Sequence, residues 1–375
     1  MNIFQPSLPG MAIYFHVDYQ LMALSVPAFL AVSAVIQILC GPISDKLGRR
    51  PVLFWSLLIF LAFTVGCIFA PNAGVFLICR MGQAIGTTCM VLSRAAVRDM
   101  YDGPKAASML GYVAMGMTLV PMLGPALGGI LDQAYGWQAN FWLLFACAAV
   151  TLGLFWVDFG ETAHANGKTL VEQFREYPEL LRSPRFWGYS LASGWSAGSF
   201  FAYLGGAPFV GTHIYGLDSG ELGLFFSAPA VGYFLGNYLS GRYSEQVGIN
   251  PMVLWGTCIN LFGVVLSLSI SLVGLDTVWS FFGLMCFIGI GNGLAIPNGT
   301  TGAIGVRPHL AGTASGLSSA IMIGSGAALS ALAASLLSEG STATPLLVIM
   351  AVSGLGGLLA IAGVARREAQ LARRA

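Results

Sequence analysis

Apolar runs of about 20 residues recur along most of this chain and leave room only for short polar loops. A helix of about 20 residues crosses the hydrocarbon core of a bilayer, which is roughly 30 Å thick. Only 9% of the 375 residues are charged, whereas a soluble domain carries about 25%. The sequence therefore predicts an all-α integral membrane protein.

The runs predict twelve transmembrane helices, of which the first is truncated. Residues 1–17 contain Pro6 and Pro9 and are too few for a full span, so we expect about 10–25 residues to be missing from helix 1. Helices 2 to 12 are predicted at 21–43, 51–70, 75–97, 107–131, 138–157, 186–210, 220–241, 251–273, 278–298, 312–337 and 344–365.

A charged segment at 158–184 interrupts the apolar pattern and divides the chain. We predict a cytoplasmic linker there, between an N-terminal six-helix bundle at 1–157 and a C-terminal six-helix bundle with a short basic tail at 185–375. The polar stretch G-P-I-S-D-K-L-G-R-R-P has a weaker copy, G-R-Y-S-E-Q-V-G-I-N-P, 200 residues downstream. Gly, Ser, an acid, Gly and Pro recur at the same offsets, which indicates two pseudo-symmetric halves.

Every Lys and Arg except Arg80 falls at alternate helix ends. Because basic loops stay in the cytoplasm, both termini are predicted to be cytoplasmic. The net charge of +1 gives no reason to expect nucleic-acid binding. The cysteines lie within apolar runs and the histidines are scattered, so we expect no metal site and no cofactor.

The stretch between helices 2 and 3 resembles the loop motif of the major facilitator superfamily, G-x-x-x-D-x-x-G-R-R/K. The matching residues are Gly41, Asp45, Gly48, Arg49 and Arg50. The resemblance implies a major facilitator fold, in which this loop locks one conformation. Physically, Asp45 can neutralise nearby arginines and sit at a neighbouring helix N-terminus, where the helix dipole favours an anion. The second copy has Glu245 in place of Asp45 and lacks the basic pair, which predicts a weaker lock.

Arg80 opens the stretch R-M-G-Q-A-I-G, which resembles the helix 4 motif of the same superfamily. Arg80, Gln83, Thr87 and Arg94 share one stripe of the helix and predict a cavity wall. A charged Arg in a membrane should face water, a carboxylate or backbone carbonyls; the alternative is snorkelling to the interface. The resemblance implies that Arg80 and Gln83 take part in coupling protons to transport.

Helix 5 carries G-P-A-L-G-G, which resembles the motif of the drug:proton antiporter branch. We expect Pro125 to bend the helix against the carbonyl of Pro121. The glycines permit close helix contact, and generic packing is the alternative interpretation. The motif residues are Gly124, Pro125, Gly128 and Gly129.

Four shorter segments are similar to the Bcr/CflA, or bicyclomycin/chloramphenicol resistance, subfamily. They are N-I-F-Q-P-S-L-P at 2–9, E-T at 161–162, G-G-A-P-F-V at 205–210 and G-L-A-I-P-N-G at 293–299. The resemblance implies a monomeric transporter of the bacterial inner membrane, which exports small amphipathic drugs in exchange for protons. The alternative is a carrier of one native metabolite, taken up or exported. A membrane enzyme would need clustered reactive side chains in mid-helix, which the sequence lacks.

The protonated group is left open by the sequence, because no Asp or Glu lies in the middle of a predicted helix. Asp132, near the end of helix 5, is one candidate. The group could instead belong to the missing part of helix 1, or coupling could differ.

Polar side chains within apolar helices are candidates for the substrate cavity, because buried amides need partners that a bilayer does not supply. The alternative for each amide is a hydrogen bond that joins two helices, and for Tyr203 it is packing. The candidates are Asn2, Gln5, Tyr203, Asn237 and Asn298.

Overall fold

The computed structural model describes residues 3–100, 123–162, 178–307, 310–338 and 340–372, and every regular element in these ranges is helical. The main helices follow the predicted order and are numbered α1 to α12. They are α1 (Leu8–Tyr14), α2 (Ser25–Leu47), α3 (Arg49–Ile68), α4 (Ala73–Gly82 and Thr87–Met100), α5 (123–135), α6 (Gln138–Asp158), α7 (Pro184–Phe209), α8 (Ser219–Phe225 and Ala228–Val247), α9 (Ile249–Leu272), α10 (Met285–Gly305), α11 (Ala311–Ser335) and α12 (Thr344–Ala372).

Nine helical stretches of the described residues are long and apolar enough to cross a membrane. The helix α7 has 26 residues, but its Gly, Ser and aromatic content lowers its hydropathy, and most of its residues are buried. The helix α1 is short, and α5 is described only from residue 123 onward. The prediction of an all-α membrane protein is confirmed, while Asn2 and the expectations for 107–122 and 163–177 lie outside the described residues.

Two predicted ends were wrong by two helical turns. The helix α10 continues to Gly305 rather than 298, past Pro297 in its interior. Membrane helices tolerate an internal proline where neighbouring groups bond the freed carbonyl. The predicted basic tail continues α12 to Ala372, because its Ala, Arg, Glu, Gln and Leu residues all favour helix.

Several spans are interrupted at points that the hydrophobic pattern did not reveal. A 3₁₀ turn at Gln83–Gly86 divides α4, and residues between Phe225 and Ala228 divide α8. A separate turn, Tyr19–Ala23, precedes α2. A 3₁₀ segment within a helix often marks a hinge, and here it coincides with the Arg80 motif.

The repeated polar stretch folds into the same turn in both halves. Gly48 has φ +95° and Gly248 has φ +90°. The Gly48 amide donates to the Ser44 carbonyl and the Gly248 amide to the Ser244 carbonyl, each at 2.9 Å. Because φ is positive, glycine is the residue that avoids strain at both positions.

The end of the molecule opposite these basic turns, called here the distal end, joins the first and second halves. The Tyr19 hydroxyl donates to the Gly205 carbonyl at 3.0 Å, and the Gln20 amide donates to the Leu337 carbonyl at 2.9 Å. Phe4 and Phe76 share one hydrophobic core with residues of α7 and α11. The two halves are therefore in contact at the distal end.

Candidate functional site

Arg80 lies in the protein interior, with only 2% of its surface exposed. Its guanidinium carbon lies 4.6 Å from the centroid of the Phe4 ring and 4.2 Å from that of Phe29. A cation held against desolvated aromatic faces gains about 2 kcal/mol or more from the ring quadrupoles. This burial contradicts snorkelling to the interface. The cation contacts two aromatic faces, which the sequence did not lead us to expect.

A chain of hydrogen bonds connects this cation to the neighbouring helix. Arg80 Nη1 donates to Gln83 Oε1 at 2.7 Å, and Gln83 Nε2 donates to Thr64 Oγ1 at 2.8 Å. The Thr64 hydroxyl donates to the Phe60 carbonyl at 2.7 Å. Arg80 and Gln83 thus meet as expected, and they link α4 to α3.

The described side chains of the stripe predicted to form a cavity wall are buried and line neither described cavity. Thr87 is also buried, at 6% exposure, and its hydroxyl bonds the Ala84 carbonyl; the side chain of Arg94 lies outside the described residues. A Cβ on Gly82 would come within 2.5 Å of the Phe63 ring. At Gly82, α4 therefore packs closely on α3, as glycine at this position allows.

The basic turn after α2 is held by carboxylates from two other helix ends. The Arg49 side chain pairs with Asp99 at 3.1 Å and contacts the Ser44 hydroxyl. The Glu161 carboxylate accepts the backbone amides of Arg49 at 2.8 Å and Arg50 at 3.1 Å. These bonds place an anion at the N-terminus of α3, where the helix dipole favours one.

Glu161 therefore occupies a helix N-terminus of the kind we expected Asp45 to reach. The side chain of Asp45 lies outside the described residues, and so does that of the neighbouring Pro42. A Cβ on Gly48 would overlap the Glu161 carboxylate. Glycine is required at Gly48 both by its φ and by this close approach.

The second copy of the turn uses a different carboxylate contact. Glu368 of α12 accepts the side-chain amide of Asn250 at 2.5 Å and pairs with Arg185 at 2.6 Å. The Tyr189 hydroxyl donates to Asn250 at 2.6 Å. Here the carboxylate binds side chains, whereas Glu161 binds the backbone amides that open α3.

Replacing Glu161 by Gln is expected to destabilise the first turn by about 1 kcal/mol, because the neutral amide interacts more weakly with the helix dipole and with N–H donors. The measurement is thermal unfolding of the purified protein in detergent. Glu245→Gln is the matched control, since Glu245 occupies the second copy and is exposed. Equal melting temperatures for the two variants would contradict the capping role.

The glycines of the α5 motif differ in how tightly they pack. Among the described residues, a Cβ on Gly124 would have no neighbour nearer than 3.9 Å, whereas one on Gly128 would overlap the Ile3 carbonyl. A Cβ on Gly129 would overlap the Ser219 carbonyl and approach the Gly223 Cα to 3.1 Å. The contact between the two halves therefore depends on Gly129. The bend expected at Pro125 stays a prediction, because Pro121 lies outside the described residues.

Asp132 lies one helical turn beyond that contact. It lines a cavity of about 380 Å³ at the distal end, which is formed by residues of both halves. The lining is Pro6, Pro9, Gly10, Ile13, Asp132, Thr212, His213 and Ser219. The neighbouring Gln133 donates to Asp218 at 3.2 Å. The Asp132 carboxylate therefore lies among polar contacts between α5 and the start of α8.

Tyr203 is packed inside the protein and does not line this cavity. Its side chain has no exposed surface and lies among Phe226, Phe281 and Phe282, with ring centroids 5.0 to 6.4 Å away. Within the described residues its hydroxyl has no hydrogen-bond partner. The packing interpretation is the one that these contacts favour.

Tyr203→Phe is expected to raise the melting temperature, because it removes a buried hydroxyl whose desolvation costs about 1–3 kcal/mol when unpaired. Tyr19→Phe is the comparison, because that hydroxyl bonds Gly205 and its loss should lower the melting temperature. Thermal unfolding in detergent measures both. A Tyr203→Phe protein as unstable as Tyr19→Phe would show that the Tyr203 hydroxyl is paired.

The amide candidates have mostly structural partners. Asn298 donates to the Ser240 hydroxyl and to the Leu294 carbonyl, each at 2.8 Å, and so joins α10 to α8. Asn237 donates at 2.9 Å to the carbonyl of Tyr233 in its own helix. The Asn298 contact is the interhelical bond that was the alternative to a cavity role. The Asn237 bond lies within one helix and was not expected.

Gln5 differs from the other amides. It is 1% exposed, and among the described residues its Oε1 accepts no hydrogen bond. Gln5 therefore has a buried amide oxygen with no hydrogen-bond partner among the described residues.

Sequence reasoning missed Asp99, Phe4 and Phe29. Asp99 stands in a basic segment at the end of α4, and an acid among bases is a usable signal for an ion pair. Phe4 and Phe29 carried no such signal, because most of the other apolar runs also contain aromatic residues. Their positions around Arg80 depend on how α2 and the chain before α1 pack against α4.

Comparisons with known proteins agree with this geometry. Residues 1–331 match the family model described as Major Facilitator Superfamily. The chain is 29% identical over 315 residues to the chloramphenicol resistance protein of Pseudomonas aeruginosa, covering 84% of this chain and 75% of that protein. It is 23% identical to the bicyclomycin resistance protein homolog of Haemophilus influenzae, covering 93% and 88%.

A solved peptide transporter, POT, superposes with a TM-score of 0.79 at 14% identity, covering 98% of this chain and 92% of that one. At this identity the likeness concerns the fold alone. The family match covers most of the chain, and the helical order, the repeated turn and the superposition agree with it. The chain belongs to the Major Facilitator Superfamily.

Proposed function

We propose that this protein is a proton-coupled secondary transporter that exports small amphipathic drugs by alternating access. The observation that carries the proposal is the similarity to a chloramphenicol resistance protein along 84% of the chain. The bicyclomycin resistance homolog extends the similarity to 93%. The buried Arg80 within a transporter fold supports the same function.

The proposal places the protein in the bacterial inner membrane as a monomer, with the basic turns and both termini in the cytoplasm. The distal end is then periplasmic. Residues 1–157 and 185–375 form the two moving bundles, and 158–184 links them. The contacts of Tyr19 and Gln20 with the second half support a periplasmic end that is closed in this conformation.

Arg80 and Gln83 are proposed to couple proton movement to this closure. Phe4 belongs to the chain just before α1 and Phe29 to α2, so a shift of either element changes the burial of the cation. Hydration of a buried charge is worth several kcal/mol, so its exposure and the conformation are linked. The protonated partner group belongs to the same proposal, with Asp132 as a candidate on the periplasmic cavity.

The residues of the basic turn and of the α5 motif are proposed to form contacts that change as the two bundles move. Gly41, Asp45, Gly48, Arg49 and Arg50 brace the cytoplasmic turn. Gly124, Pro125, Gly128 and Gly129 let α5 meet the chain before α1 and the start of α8. Gln5 is the preferred substrate-facing amide, with Asn2 beside it in sequence; Tyr203, Asn237 and Asn298 support the surrounding walls.

A carrier of one native metabolite is the alternative, and it is not favoured, because several of the matched relatives carry resistance names. A membrane enzyme is a poorer interpretation still, since the matched family consists of transporters.

Drug uptake into everted membrane vesicles tests the proposal. Vesicles with this protein should accumulate chloramphenicol and chemically unrelated amphipathic drugs when a proton gradient is present, and a protonophore should abolish the accumulation. Vesicles without the protein are the control. Accumulation that ignores the gradient would contradict proton coupling, and transport of a single solute would favour the metabolite carrier.

A further inference from the structure

A second cavity of about 530 Å³ lies between α3 and α6, away from the seam between the halves. All of its lining residues are apolar or glycine. They are Phe54, Leu61, Ala149, Leu152, Gly153, Trp156 and Val157. We call this cavity the α3–α6 groove.

The groove opens on the membrane-facing surface. Along its whole length α6 buries only Asn140, Phe141 and Ala148, and Trp156 and Val157 are 63% and 86% exposed. A Cβ on Gly153 would meet no atom of the described residues within 4 Å, so this glycine leaves an open notch in the groove. Lipid chains are the apolar material available at such a surface.

A positive charge stands at the basic end of the groove. Arg50 is exposed, and its Nη2 lies 3.5 Å from the carbonyl oxygen of Trp156, a lining residue. Lys46 is exposed four residues earlier on the same turn. The Glu161 carboxylate is also near, but its oxygens accept the backbone amides of Arg49 and Arg50. Asp158, which directly follows Val157, is also exposed. Arg50 is the cation with a described contact to a lining residue, and it therefore suits an anionic group.

We propose that the α3–α6 groove binds an anionic phospholipid of the cytoplasmic leaflet, with an acyl chain along the apolar lining and the phosphate group against Arg50. The combination of an apolar groove and a basic residue at the cytoplasmic side is the pattern that holds anionic lipid headgroups. The inference requires the membrane placement of the basic end but not the identity of the transported solute. A failure to transport drugs and a failure to bind the anionic lipid would therefore be distinguishable results.

Native mass spectrometry of the purified full chain tests the proposal. The protein is equilibrated with phosphatidylglycerol or with phosphatidylcholine carrying the same acyl chains. We expect wild-type protein to retain phosphatidylglycerol in preference to phosphatidylcholine. Arg50→Gln should lower phosphatidylglycerol retention about fivefold, since one basic side chain near the headgroup contributes that order of affinity. Gly153→Leu fills the groove and should lower retention by about threefold or more.

Two matched variants control for general effects. Gly363→Leu adds the same side chain at an exposed glycine of α12 that also has no atom within 4 Å of an added Cβ. Arg366→Gln removes an exposed charge at the same end of the protein. Both should retain phosphatidylglycerol as the wild type does. Thermal unfolding confirms that each variant is folded.

Three results would overturn the inference. One is equal retention of the two lipids by the wild type. Another is unchanged phosphatidylglycerol retention in folded Gly153→Leu. The third is a dimer in the wild type that Gly153→Leu converts to monomer without any change in bound lipid, which would show that a second copy of the chain occupies the groove.

Discussion

Arg80→Ala is expected to reduce gradient-driven drug accumulation to the level of vesicles without the protein, a loss of at least about tenfold, equivalent to about 1.4 kcal/mol. The guanidinium connects Phe4, Phe29 and Gln83, and alanine abolishes all three contacts. Folding should survive, because Gln83 keeps its bond to Thr64. The measurement is transport in everted vesicles at matched expression.

Arg242→Ala is the control for Arg80, because Arg242 is an exposed arginine of the second copy of the turn. It should transport normally. Phe29→Leu keeps an apolar side chain but removes one aromatic face, and it should give an intermediate rate. Normal accumulation in Arg80→Ala would remove the coupling role proposed for this residue.

Gly129→Ala is the second substitution with a large expected effect. The added Cβ would overlap the Ser219 carbonyl, so α5 and α8 must separate where the two halves meet. Overpacking of this kind costs about 1–3 kcal/mol, and we expect the periplasmic end to close poorly and export to fall about tenfold. A cysteine at Ser219, in a background without the native cysteines, should then react faster with a membrane-impermeant maleimide.

The α5 motif contains its own control. In Gly124→Ala the nearest atom of the described residues is 3.9 Å from the added Cβ, an ordinary contact, so transport should remain near wild type. In Gly223→Ala, on the opposite helix, the added Cβ would lie 2.5 Å from the Pro125 carbonyl oxygen. This variant should reproduce the Gly129→Ala defect. Equal behaviour of Gly124→Ala and Gly129→Ala would mean that this contact does not limit transport.

Some site features were readable from local sequence. The spacing of Arg80 and Gln83 predicted their contact, because residues three apart lie on neighbouring turns of a helix. The offset of 200 residues between Gly48 and Gly248 predicted one turn built twice, and both glycines adopt the same positive φ.

Other features came from contacts across the chain and had no local signal. Glu161 reaches the start of α3 from more than 100 residues away, and Phe4 packs against Arg80 from the start of the chain. Gly124 and Gly129 look alike in the motif, yet only Gly129 faces the α8 backbone. For Asn298 and Tyr203, the neighbouring side chains favour a structural role over contact with a substrate. The residue types alone did not distinguish these two roles.

Hydropathy and basic-loop placement by themselves determined the membrane-spanning architecture, because the bilayer imposes helix length and backbone hydrogen bonding on any apolar run. The tertiary structure alone decided which side chains surround a buried charge such as Arg80, and which motif glycines contact another helix. Such choices depend on distances between helices that are remote in sequence. A periodic pattern specifies the face of one helix but not the partner that packs against it.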